Sequence, residues 1–120
     1  MKKQVINLLE KAQNITEYWS PKVVGEVDDS YVKIAKVKGV FTWHNHEEDE
    51  FFMVLEGQLT IEMKAGSVTL NKGEIYVVPK GVMHKPVAEN ECTIMLFEKK
   101  TTLHTGKVQS DLTKAIEDQL

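Results

Sequence analysis

The sequence predicts an all-β domain, a sandwich or small barrel, with a short helix at each end. Three observations carry this reading. Short segments rich in Val, Ile, Phe and Tyr follow one another with no helix between them, and polar or glycine turns separate them. Leu59, Ile61 and Met63 also alternate with Thr60, Glu62 and Lys64, the period of two that marks a strand with one buried face. The turns fall at Asp28-Asp29-Ser30, Gly57, Ala65-Gly66, Asn71-Lys72-Gly73, Pro79-Lys80-Gly81 and Glu89-Asn90-Glu91. Val68-Thr69-Leu70, Ile75-Tyr76-Val77-Val78 and Thr93-Ile94-Met95-Leu96-Phe97 read as further strands. A count of roughly eight or nine in about 80 residues argues against a parallel α/β arrangement, which needs crossover helices.

At the N-terminal end, Val5, Ile6, Leu8, Leu9, Ala12 and Ile15 recur at helical spacing and predict an amphipathic helix over about residues 3–18, before Ser20-Pro21. Leu112, Ala115, Ile116, Gln119 and Leu120 predict a second helix over about residues 110–119, capped by Ser110-Asp111. The β core is expected over about residues 22–100. A length of 120 residues without internal repeats suits one domain, 1–120.

Composition narrows the function. A formal net charge of −3, with the basic residues scattered, offers no footprint for nucleic acid. No window approaches the ~18 continuous apolar residues of a membrane span. The single cysteine, Cys92, has no partner for an internal disulfide, and the opening Met1-Lys2-Lys3-Gln4 leads into an amphipathic pattern rather than an apolar signal core. The expectation is a soluble, cytoplasmic protein. Cys92 has no neighbouring base in sequence and does not read as a nucleophile.

The most specific feature is a set of four side chains. His44 and His46 are one residue apart, Glu50 follows, and His84 stands just past the Pro79-Lys80-Gly81 turn. Imidazole nitrogen and carboxylate oxygen together suit divalent first-row metals. Alternate strand residues share a face roughly 6.6 Å apart, so His44 and His46 project side by side and Glu50 shares their parity. Four ligands in an octahedral shell leave two positions for water or substrate. Glu50 alone would be one more member of the run Glu47-Glu48-Asp49-Glu50; its spacing from His46 singles it out, and the other three read as a solvated turn.

These residues resemble the cupin family, whose first motif is G-x5-H-x-H-x(3,4)-E-x6-G and whose second is G-x5-P-x-G-x2-H-x3-N. Here Gly39, His44, His46, Glu50 and Gly57 follow the first, and Gly73, Pro79, Gly81 and His84 the second. Two departures stand out: four residues rather than five separate Gly39 from His44, and Ala88 occupies the place of the motif's Asn. The short interval points to a β-bulge or an altered strand entry. The resemblance covers roughly residues 30–100. It implies a jelly-roll barrel, or double-stranded β-helix, with a divalent metal in its mouth held by His44, His46, Glu50 and His84, commonly assembled as a dimer. Trp19-Ser20-Pro21-Lys22 and Thr101-Thr102-Leu103-His104-Thr105-Gly106 also resemble the flanks of small single-domain cupins of undefined chemistry.

By parity, Thr42, Phe52 and Val54 face the interior with the ligands, while Trp43 and Phe51 point away. His104 is a further pocket candidate from the tail, although an exposed loop is its more ordinary setting. The expected activity is metal-dependent chemistry on a small acid or sugar-like molecule. It would be Lewis-acid isomerase or lyase chemistry with Mn, Ni or Zn, or oxygen chemistry as an Fe(II) dioxygenase. The alternative is a non-catalytic module that binds a metal or small ligand. A homodimer is expected from the amphipathic ends and the edge strand near Pro21–Val24.

Overall fold

The computed structural model describes residues 4–120, and its order follows the alternating pattern of the sequence. A short helix α1 (Leu8–Ala12) precedes seven strands: β1 (Lys22–Val27), β2 (Ser30–Val40), β3 (Glu50–Glu56), β4 (Gln58–Met63), β5 (Val68–Asn71), β6 (Ile75–Val78) and β7 (His84–Lys99). Every pairing between these strands is antiparallel, in the order β1-β2-β7-β3-β6, with β4 joining β5 to the first part of β7.

β7 organises the sheet. Its start, His84–Val87, pairs with β4, and its later part, Thr93–Phe97, pairs with β3, while β2 runs alongside both. One strand thus belongs to two differently directed parts of the sheet, which curls around a core. Ala35, Val37, Phe52, Val54, Leu59, Ile61, Leu70, Val78, Ile94 and Leu96 fill that core. The Glu89-Asn90-Glu91 segment, expected as a turn, is instead an exposed irregularity inside β7, where the register with β2 slips between Val37 and Gly39. Extra residues on one strand bend it without ending it, which is why fewer strands are found than the turn count suggested.

Both helices are shorter than expected. Of the N-terminal span about 3–18, residue 3 lies outside the described residues and only Leu8–Ala12 is α-helical. Asn7 sets the start by accepting the Glu10 N–H, leaving Val5 almost fully exposed. Downstream the backbone is recruited into the sheet: Tyr18 bridges Lys36, and Trp19 N–H donates to the Lys36 carbonyl at 2.9 Å. α1 then buries Ala12, with Ile15 behind it, against Ile34. The C-terminal span about 110–119 contains only a 3₁₀ turn, Ile116–Asp118. Ser110 Oγ and His104 Nδ1 take the N–H groups of Leu112 and Lys114, and Ala115 is extended, so no α-helical ladder starts.

The β3–β4 hairpin turns at Gly57 with φ of +89°, and a Cβ there would lie 2.8 Å from the Glu91 carbonyl and 3.0 Å from Cys92 Cα. The irregular part of β7 therefore packs directly on this turn. Gly57→Ala should lower stability by about 2 kcal/mol, from the left-handed backbone and the clash together. A urea midpoint equal to wild type would show that the turn relaxes freely.

Candidate metal centre

The strand layout brings His44, His46, Glu50 and His84 together, all buried, with one donor atom from each lying within 4.8 Å of the others. His44 and His84 exchange both backbone hydrogen bonds, 3.0 and 2.9 Å, in an isolated antiparallel bridge. Residues paired in this way project to the same side, which aims both imidazoles inward. His46 is joined to the second motif through its carbonyl, which accepts the Gly81 N–H at 2.8 Å. Glu50 opens β3, where Glu50, Phe52 and Val54 alternate inward as expected.

The ring nitrogens divide into two kinds. His44 Nδ1 donates to the Thr42 carbonyl and His84 Nδ1 to the Val82 carbonyl, each at 2.9 Å. A neutral ring bonded this way carries its lone pair on Nε2, the tautomer suited to metal binding. Yet His84 Nε2 lies 3.2 Å and His46 Nε2 3.3 Å from the same Glu50 oxygen. For His84, whose Nδ1–H is committed to Val82, a lone pair facing a carboxylate at that distance is repulsive unless a proton or metal ion lies between. Neither nitrogen of His46 has a hydrogen-bond partner although both are buried. The donor set therefore fits a divalent ion.

Electrostatics point the same way. Burial pushes the Glu50 carboxyl up, but the close approach of the His46 and His84 rings outweighs it and holds it well below the usual range. Burial and the neighbouring His84 lower His44 to about 4, so this ring is neutral at pH 7.

The remaining sequence candidates separate. Phe52 and His104 line a small interior cavity of about 40 Å³ together with Trp19, Phe41, His44 and Glu50. Val54 is fully buried in the core but does not line this cavity, and Thr42 contributes its backbone carbonyl rather than its side chain. Strand parity fails there because 41–43 are not in a strand, and Phe41 takes the inward position. His104 is not on an exposed loop: it packs on Phe41, ring centres 5.1 Å apart, and its Nδ1 accepts the Lys114 N–H at 2.8 Å. Its Nε2 therefore carries the proton when the ring is neutral. Burial, then repulsion from Lys33 and His44, lowers it to about 4 despite attraction to Glu50.

The acidic run is less idle than a solvated turn. Asp49 accepts the Lys80 N–H, Glu48 accepts the Thr101 hydroxyl, and Glu47 lies 3.5 Å from Lys107. These contacts tie the ligand loop to the Pro79–Gly81 turn and to the tail. A surface cleft of about 450 Å³ between loop and tail reaches His46, with Lys80, Thr101 and Lys107 among its walls.

Two buried charged residues were not foreseen. Lys33 and Glu98 are 1% and 5% exposed and lie 2.8 Å apart, and the β3–β7 register sets Glu98 across from Glu50. Burial and the Glu50 charge, opposed by Lys33, raise Glu98 to about 8, so it holds a proton at pH 7. The signal was present in the pattern: Lys33 shares parity with Ala35 and Val37, and Glu98 with Ile94 and Leu96.

A curled antiparallel β-barrel carrying a buried three-histidine, one-glutamate cluster is the class of protein these observations define. The Cupin domain family matches residues 30–98, and the chain belongs to that family. Among solved structures, a cupin-2 domain containing protein from Shewanella frigidimarina is 46% identical with a TM-score of 0.78, over 80% of this chain and 95% of that one. Protein NMB1881 from Neisseria meningitidis is 34% identical with a TM-score of 0.74, over 81% of this chain and all (100%) of that one. The uncharacterized protein YdbB of Bacillus subtilis is 36% identical over 81 residues, 66% of this chain and 72% of the relative. None of these names specifies a substrate. No helix among the described residues is long and apolar enough to cross a membrane.

The cluster carries a pH signature in the metal-free protein. His44 and His104, lowered from 6.5 to about 4, contribute stability above pH 6.5 that is lost as pH falls toward 4, because the unfolded chain takes up protons the folded one refuses. Glu98, raised from 4.5 to about 8, acts oppositely: its contribution is full below 4.5 and lost as pH rises through 8. Between pH 6.5 and 4.5 two histidines outweigh one carboxyl, so the urea midpoint should fall with pH, and His104→Leu should level it. A midpoint that climbs over this interval in the wild-type chain would contradict the assignment.

Proposed function

We propose that this cupin binds one divalent metal ion through His44, His46, Glu50 and His84 and acts on a small acid or sugar-like molecule that reaches the ion from the cleft beside His46. The observation that carries the reading is the convergence of imidazole nitrogens on one Glu50 oxygen at 3.2 and 3.3 Å, which a single shared divalent ion would satisfy. Such an ion supplies Lewis acidity if Mn, Ni or Zn, or oxygen chemistry if Fe(II).

The chain's own residues then have definite parts. The backbone carbonyls of Thr42 and Val82 fix the tautomers of His44 and His84. Trp19, stacked on Phe41 at 4.8 Å, and Phe52 keep water from the inner side. His104 offers an Nε2–H to a bound oxygen atom, and Lys80 and Lys107 at the cleft favour an anionic group. The 40 Å³ cavity admits little more than water, so the reacting part of a substrate sits toward the cleft. That same smallness favours the second reading, a non-catalytic module that holds the metal or a small ligand.

A homodimer and a cytoplasmic setting belong to the same proposal. The edge near Pro21–Val24 is partly covered, since Val23 N–H donates to the Gln119 carbonyl. The better surface is the outer face of β3, β6 and β7, where Phe51, Met53, Met95 and Phe97 are half-buried and Ile75 and Val77 exposed. The fold contains no disulfide, with Cys92 buried and free, as suits a reducing compartment.

Metal content of the untagged protein tests the central claim. About one ion per chain is expected by mass spectrometry; His46→Ala and His84→Ala should each lose most of it while keeping the β circular-dichroism spectrum. Full retention in both variants sinks the assignment. Iron with oxygen uptake supports the dioxygenase branch, and turnover without oxygen in Mn, Ni or Zn protein supports the Lewis-acid branch. For assembly, light scattering at micromolar concentration should give twice the chain mass, and Val77→Lys should reduce it to one; a wild-type monomer rejects the dimer.

A further inference from the structure

Resting on the metal reading above, we infer that Glu98 is a positioning residue for the metal centre, and that Lys33 and Gln119 brace it, so that the chain's last turn sets the aim of the Glu50 carboxylate. Glu98 is outside the converging ligand set, yet the β3–β7 register that pairs Phe51 with Phe97 sets it across from Glu50, with both side chains buried. Its Oε1 is held by Lys33 Nζ at 2.8 Å, while its Oε2 is buried with no other donor facing it. That second oxygen is satisfied when Glu98 and Glu50 share a hydrogen bond.

Lys33 is fixed in turn. Its Nζ donates to Gln119 Oε1, and the Gln119 amide donates to the Lys114 carbonyl at 3.0 Å. Val23 N–H donates to the Gln119 carbonyl at 2.7 Å, seating the last turn on β1. Lys114 N–H holds His104. Glu50 and His104, the two cavity groups without a backbone-tethered tautomer of the His44 kind, are thus both anchored through the segment 114–119.

Stability alone does not account for this arrangement. Three polar side chains at 1%, 5% and 2% exposure forgo hydration, and apolar residues of similar volume often serve a core as well or better. What apolar residues do not supply is a fixed direction for a neighbouring carboxylate. Partners of metal ligands do supply it, and their loss typically costs 10–100-fold in affinity.

Cobalt(II) is the probe, titrated into metal-free untagged protein and followed by its visible d–d absorption. Glu98→Gln keeps a donor for Glu50 and an acceptor for Lys33, and should bind within about threefold of wild type with the same bands. Glu98→Leu should bind roughly 10–100-fold more weakly with shifted bands, and its urea midpoint should fall because Lys33 is left buried without its partner, so binding is compared on protein shown folded by circular dichroism. Wild-type affinity and bands in folded Glu98→Leu overturn the inference. If that variant does not fold, Gln119→Ala decides, because it loosens the brace from the last turn: weaker binding with shifted bands supports the inference, and unchanged binding and bands overturn it. Wild-type protein that takes up no cobalt overturns the metal reading itself, a result distinct from either.

Discussion

A carboxylate buried inside a β-barrel must be met by positive charge, and the arrangement at this end of the fold follows from how Glu50 meets that demand. Uncompensated, its desolvation would cost several kcal/mol. Protonated histidines are one answer, but His44 is already held neutral at pH 7 by burial and by His84. Its ring centre lies 4.3 Å from that of His84, so two imidazolium ions there would repel. One divalent ion removes the difficulty, since it satisfies Glu50 and the Nε2 lone pairs together. Burial, and after it the charge of the same anion, keeps Glu98 protonated.

This chemistry is built into the sheet rather than appended to it. β7 carries His84 at its first residue and Glu98 near its last, and between them it pairs with β2, β3 and β4. The irregularity at Glu89–Glu91 lets one strand serve both halves of the barrel. Gly57 allows the β3–β4 turn to approach it closely, so the spacing between β3, which bears Glu50, and β7 depends on a contact far from the ligands. Fold stability and ligand geometry thus share residues.

What was legible in the sequence was what regular backbone dictates. The alternation in β3 correctly placed Glu50, Phe52 and Val54 inward, and the two spaced motifs identified the four converging side chains. Parity misled at Thr42, where the chain leaves the strand, and turn chemistry misled at Glu89–Glu91, where polar residues form a bulge. Helical spacing overstated both ends because side-chain acceptors, Ser110 and His104, claimed the backbone donors a helix needed. Lys33 and Glu98 were overlooked for a different reason: a charge at inward parity reads as solvated unless its partner is known, and these partners are 65 residues apart in the chain.

The four converging residues are not equivalent, and the difference suggests how the site works. His44 and His84 are oriented before any ion arrives, through Thr42 and Val82 and through their mutual backbone bridge. Glu50 is aimed by its buried neighbours. His46 has no such tether on its ring, is the most exposed of the three clustered histidines, and is the one that reaches the surface cleft. Gly106 packs so closely on Asn45 that a side chain there would collide with the Asn45 carbonyl, which presses the tail against the His46 loop. Pre-oriented ligands lose little entropy on binding, whereas an untethered one must be ordered by the metal itself. His46 is therefore the ligand whose orientation depends most on occupancy, and its position at the cleft makes that ordering sensitive to whatever binds beside it.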